Sequence, residues 1–173
     1  MAGMMRTKHT VVALMEDQPG VLNRVVSLFR RRGFNIDSLT VGPSEIPQVS
    51  RMTVVVNGTA DIVEQVVKQL YKVVDVLKVS DITNEKIVVR ELALIKVNAN
   101  QTTRSEIMQI VDIYRAKIVD VAIDSVIIEA TGPEDKIDSL VDLLKRFGIK
   151  EMARTGRVVM IRSTAGSTKW NGN

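Results

Sequence analysis

The sequence has no cysteine, a single histidine, and aromatic residues at only 3% of its 173 positions. Without cysteine there is no disulfide framework and no thiolate to serve as nucleophile or metal ligand. His9 alone would leave a zinc ion to carboxylates and water, an unusual donor set, so that ring is expected in solvent beside the first strand. The patterns G-x-x-x-x-G-K-S/T, G-x-G-x-x-G, G-x-S-x-G and H-E-x-x-H are all missing. Scarce aromatics argue against RNA, because four-stranded sheets that hold single strands stack bases on exposed rings. No apolar run approaches the roughly 20 residues needed to span a bilayer. Met1 to Lys8 also lacks the apolar stretch of a secretory signal, so a soluble, cytoplasmic protein is expected. Net positive charge is modest, at +4, with basic residues gathered at Arg30-Arg31-Arg32 and in Lys150, Arg154, Arg157, Arg162 and Lys169. Such a balance permits an acidic partner without identifying one. The carboxylate pairs Glu16-Asp17 and Glu134-Asp135 sit at helix starts, where the helix dipole favours negative charge. No catalytic residue and no metal ligand is assigned, and the chain is read as non-enzymatic.

What is present is a repeat. The first half reads as strand Thr10–Met15, helix Val21–Arg32, strands Asn35–Val41 and Arg51–Asn57, helix Asp61–Tyr71 and strand Val74–Asp81. The second reads as strand Glu91–Val97, helix Thr102–Tyr114, strands Ile118–Asp124 and Ser125–Thr131, helix Glu134–Phe147 and an interrupted strand Ile149–Arg162. Both halves are β-α-β-β-α-β, giving an α+β protein of two ferredoxin-like modules, each an antiparallel four-stranded sheet with two helices on one face. The expected layout is a first domain over 6–82, a linker over 83–88, a second domain over 89–163 and a polar tail over 164–173. Leu22, Val25, Val26 and Phe29 correspond to Ile107, Ile110, Val111 and Tyr114, and Gly58, Asp61, Val66, Val67 and Leu70 to Gly132, Asp135, Leu140, Val141 and Leu144. Between these matched helices the first half carries extra residues, assigned to a long loop around Gly42-Pro43-Ser44-Glu45-Ile46-Pro47-Gln48; long loops of this kind are often functional. Val54-Val55-Val56 and Val126-Ile127-Ile128 are apolar at consecutive positions, so both faces of those strands should be covered. A second copy of the chain would do this, as would the other half of the same chain.

Between the first strand and helix lies Glu16-Asp17-Gln18-Pro19-Gly20-Val21-Leu22, and one helix later Gly33-Phe34-Asn35-Ile36. Proline pre-sets φ for a first helical turn, and glycine lets a group approach the backbone closely. A strand, a turn with unpaired N–H groups and a helix start together suit a small carboxylate. The same pattern also serves as a tight turn and cap with no ligand. Gly33 is placed to end the helix in the left-handed conformation.

Asp-x-Pro-Gly-Val-Leu followed by Gly-Phe-Asn-Ile resembles the ACT domain family of amino-acid-sensing modules. Arg31 to Gly42, Ser50-Arg51-Met52-Thr53, Gln69 to Leu77, Val89 to Val97, Ile118-Val119-Asp120-Val121 and Ala153-Arg154-Thr155-Gly156 extend the likeness to the small regulatory subunits of acetolactate synthase (acetohydroxyacid synthase) over about residues 6 to 163. Met1–Met5 stands outside it as an extra start. The resemblance implies a subunit that activates the catalytic subunit and confers feedback inhibition by valine or another branched-chain amino acid, in branched-chain amino acid biosynthesis. Thiamine diphosphate, magnesium and FAD would belong to that catalytic partner, with no cofactor on this chain. An effector site between two ACT domains of a homodimer is implied, with Asp17, Gly20, Val21, Leu22 and Asn23 from one copy and Asn35 and Ile36 from the other; Asp17 either touches the effector or caps the helix. The loop is expected to contact the catalytic subunit through Gly42, Pro43, Pro47, Gln48 and Arg51. The alternative is a stand-alone amino-acid-binding ACT module serving a different enzyme.

Overall fold

The computed structural model describes residues 7–162. The predicted tail 164–173 and the extra start Met1–Met5 lie outside the described residues. In order, the elements are β1 (Thr7–Glu16), α1 (Val21–Arg32), β2 (Ile36–Pro43), β3 (Val49–Gly58), α2 (Ala60–Leu70), β4 (Val76–Asp81), β5 (Ile87–Asn98), α3 (Arg104–Ile113), β6 (Lys117–Val121), β7 (Ser125–Gly132), α4 (Glu134–Leu144), a 3-10 turn (Lys145–Phe147), β8 (Ile149–Arg154) and β9 (Val158–Ile161). One antiparallel sheet runs β2-β3-β1-β4 and the other β6-β7-β5-β8, with β9 pairing β5. These are the two split β-α-β-β-α-β modules expected from the alternation. The chain forms two compact units: Val89–Val158 with Ser38–Thr40 makes one, and the remainder makes the other.

Each helix exists because an apolar stripe recurs at helical spacing. In α1 the buried stripe is Val21, Val25, Leu28 and Phe29, not the predicted Leu22, Val25, Val26 and Phe29. Leu22 and Val26 are 40% and 39% exposed. All six positions are apolar, so two stripes of helical period overlap in the sequence, and tertiary packing selects between them. The C-terminus is closed by Gly33 at φ 67°, with Phe34 N–H donating to the Phe29 carbonyl at 3.1 Å and the two phenyl rings edge to face at 5.8 Å. This is a Schellman closure with its apolar clasp.

One expectation is met within a single chain and one is corrected. Val54, Val55 and Val56 are at most 1% exposed within a single chain, so covering that strand does not require a second copy. The extra residues of the first half do not form a long loop either. Gly42 and Pro43 lie in β2, Val49 to Arg51 lie in β3, and only Ser44–Gln48 turn between them. The additional length went mainly into strands, with β2 and β3 spanning 8 and 10 residues against 5 and 8 in β6 and β7.

In the second unit, the core of Ala93, Ile95, Val97, Ile107, Ile128, Ile137, Leu140 and Leu144 includes one buried acid beside it. Glu91, 5% exposed, takes two bonds from Arg154 at 3.0 and 2.7 Å, and Arg154 also reaches Asp138 at 2.7 Å. Paired this way, the carboxylates push the Arg154 guanidinium pKa upward, against the opposing effect of its own partial burial.

Candidate functional site

The turn from β1 into α1 is pinned by its backbone. Glu16 N–H donates to the Asp75 carbonyl at 2.9 Å, and Asp17 N–H donates to the Gln48 carbonyl at 2.8 Å. Gly20 follows at φ 89° as the residue capping α1, a left-handed conformation that explains why glycine stands there. A glycine cap has no side chain to offer, and the first turn of α1 contains no acid. No side chain hydrogen-bonds the start of α1 as a cap, the Asp17 carboxylate included. Val21 N–H makes a long bond to the Gln18 carbonyl at 3.4 Å, and Arg24 N–H bonds Gly20. The N–H groups of Leu22 and Asn23 have no acceptor among the described residues. A Cβ built on Gly20 would meet nothing within 4 Å. The result is two free donors at the positive end of a helix dipole, facing open space, with Leu22 exposed beside them. Val21 itself points inward at 1% exposure and contributes only backbone.

Asn35 and Ile36 lie elsewhere in the same chain. Asn35 is exposed just ahead of β2, and Ile36, half-buried, is its first residue. Both follow the C-terminus of α1, and twelve helical residues rise about 18 Å. One chain thus assembles Asp17, Gly20, Leu22 and Asn23 into a cluster and holds Asn35 and Ile36 at the far end of the helix.

The Ser44–Gln48 turn is compact. Ser44 N–H donates to the Val49 carbonyl at 2.8 Å, the Ser44 hydroxyl accepts from Ile46 N–H at 3.1 Å, and Gln48 adopts φ 62°. Pro43, Pro47 and Gln48 are exposed and Gly42 is half-buried. Arg51 is half-buried, with its guanidinium donating to the Val159 carbonyl at 3.0 Å. Through the Asp17–Gln48 bond, this hairpin is wired directly to the helix-start turn.

Sequence reasoning missed Asp75. Its carboxylate takes a two-pronged ion pair from Arg24, at 2.9 and 2.8 Å, while its carbonyl holds Glu16. The only signal was an acid in the otherwise apolar run Val73-Val74-Asp75-Val76-Leu77. Around the helix start the chemistry on offer is anion and amide recognition beside an apolar side chain. Among the described residues no group of three His, Cys, Asp or Glu side chains is placed to hold a metal ion.

An ACT-type module followed by a second module of the same split β-α-β-β-α-β topology is what this fold and helix-start cluster define. Residues 12–78 match the family described as AHAS small subunit-like ACT domain, and residues 90–163 match the family described as small subunit of acetolactate synthase. The chain is 57% identical over 155 residues to the probable acetolactate synthase small subunit of Archaeoglobus fulgidus, covering 90% of this chain and 97% of that one. It is 49% identical over 158 residues to the acetolactate synthase small subunit of Mycolicibacterium smegmatis, covering 91% and 93%. The crystal structure of the Thermotoga maritima acetolactate synthase small subunit superposes with a TM-score of 0.86 at 44% identity, over 91% of this chain and 99% of that one. The chain belongs to the acetolactate synthase small-subunit family. No helix among the described residues is long and apolar enough to cross a membrane.

Proposed function

We propose that this chain regulates the acetolactate synthase catalytic subunit, raising its activity and imposing feedback inhibition when a free branched-chain amino acid such as valine binds between two copies of the first module. The reading rests chiefly on the unsatisfied Leu22 and Asn23 N–H groups beside Gly20, open to a carboxylate, with exposed Leu22 ready to meet a branched side chain. Asn35 offers both a donor and an acceptor for the remaining polar groups. Because Asn35 and Ile36 stand about 18 Å from Gly20 in one chain, they join its site only from a second copy. The first sheet ends in β2, its edge strand, and Leu22, Val26 and Val41 are exposed at 37–40%. Both features suit a two-fold homodimer.

An effector bound there favours one arrangement of the two copies by its difference in affinity, typically 1 to 3 kcal/mol. The Asp17–Gln48 bond gives that change a route to the hairpin from Gly42 to Gln48, the segment we assign, with Arg51, to the catalytic-subunit contact. Thiamine diphosphate, magnesium and FAD stay with the partner. The test is co-purification with an acetolactate synthase catalytic subunit, followed by assay of the pair with and without valine, leucine and isoleucine. Added chain should raise the rate, and at least one of these amino acids should lower it. An unchanged rate in every arm would overturn the proposal.

A further inference from the structure

A groove of about 570 Å³ runs along α1 opposite the Tyr71–Asp75 turn, lined by Asn23, Arg24, Ser27, Arg31, Lys72 and Val74, among others. Its charge is uneven. Arg24 is neutralised by Asp75, its two-pronged partner. Arg31 and Lys72 are exposed and have no acidic partner among the described residues. Arg32 at the same helix end bonds only the uncharged amide oxygen of Gln69, at 3.1 Å. Two unpaired cations facing one groove repel each other and lower the potential energy of any anion that enters. Within that lining, Val74 is 95% exposed. Val74 thus presents an apolar side chain to solvent beside the two cations.

We propose that this groove docks an acidic segment of the catalytic subunit, with a carboxylate reaching Arg31 and Lys72 and an apolar side chain covering Val74. The inference rests on the regulatory reading above and names a second contact surface beyond the hairpin. A small free anion would use the cations but leave the length of the groove and Val74 uncovered, whereas an extended peptide fills all three. The groove also shares parts with the effector turn. Asn23 belongs to both, and the Asp75 carbonyl that holds Glu16 N–H belongs to the residue whose carboxylate fixes Arg24 in the groove wall. Partner docking and effector binding therefore press on the same short stretch of backbone.

The test is a titration of the catalytic subunit with wild-type chain, with Arg31→Glu/Lys72→Glu and with the milder Arg31→Gln/Lys72→Gln, at low and high salt. Reversal should raise the concentration needed for half-maximal activation at least tenfold at low salt, with a smaller gap at high salt because screening weakens the attraction the wild type enjoys. The glutamine pair should shift in the same direction by less. Calorimetric binding of valine should persist in both, showing that the variants fold. Activation by the reversed variant at the wild-type concentration would overturn the docking surface. Failure of the wild-type chain to activate would instead overturn the regulatory reading, so the two failures are distinguishable.

Discussion

Replacing Gly20 with aspartate tests the helix-start site through charge. The backbone there sits at φ 89°, where an L residue costs about 1–2 kcal/mol. A carboxylate at a helix N-terminus returns about 0.3–1 kcal/mol. Because a Cβ meets nothing within 4 Å, no clash adds to this, and Gly20→Asp should fold with a net loss of about 1 kcal/mol. The effect on a bound carboxylate is larger. Two like charges about 4 Å apart near a protein surface repel by about 4 kcal/mol. At about 1.4 kcal/mol per decade, the affinity for valine should fall roughly a thousandfold. Gly20→Asn has nearly the same shape, tolerates the left-handed conformation and bears no charge. Its loss should be smaller, and the gap between the two variants isolates the electrostatic part. Isothermal titration with valine, leucine and isoleucine reads the affinity, and inhibition curves of the complex with the catalytic subunit read its consequence. If Gly20→Asp binds and responds like wild type, no carboxylate sits at the start of α1 and the site is misplaced.

Three further outcomes follow from the geometry. Asn35→His replaces the amide across the proposed shared site, and should relieve inhibition while leaving activation intact; matching inhibition curves would remove Asn35 from the site. Arg154→Met leaves Glu91 charged and enclosed, and should cost about 3 kcal/mol, the low end for breaking a buried pair because Arg154 itself keeps a quarter of its side chain in water. Urea unfolding checks this, and the double variant with Glu91→Gln should recover part of the loss. The Lys150 ammonium, 2.6 Å from Asp124, holds that carboxyl below its ordinary range. Lys150→Ala should therefore raise the Asp124 titration midpoint in NMR; the ion pair exists only while Asp124 is ionised, so it fades as pH falls through the depressed value.

Repetition made the architecture readable. Gly20 and Gly33 bracket a segment whose apolar period changes from two to about 3.6, so α1 begins and ends where expected, and the break in the last strand falls between Arg154 and Val158. Orientation was less legible. Leu22 and Val26 satisfy helical spacing as well as Val21 and Leu28 do, and only packing decides which pair faces inward. The hairpin was misjudged because an excess of residues between two helices does not say whether strands or a turn absorb it. At the site, glycine and proline announced the backbone conformation, but Asp75 is far from Glu16 in sequence and meets it through a carbonyl. A main-chain acceptor leaves no mark on residue type.

That last bond and its neighbour, Asp17 to Gln48, bear on how such a protein can diverge. Both are written in peptide groups, so residues 16, 17 and 75 tolerate other side chains without severing the frame between hairpin and helix start, while position 48, at φ 62°, favours residues that accept the left-handed conformation. Effector preference could thus drift through exposed side chains such as Leu22 while the mechanical linkage stays intact. Proline at position 16 or 17, which removes a donor, is the substitution that cuts it.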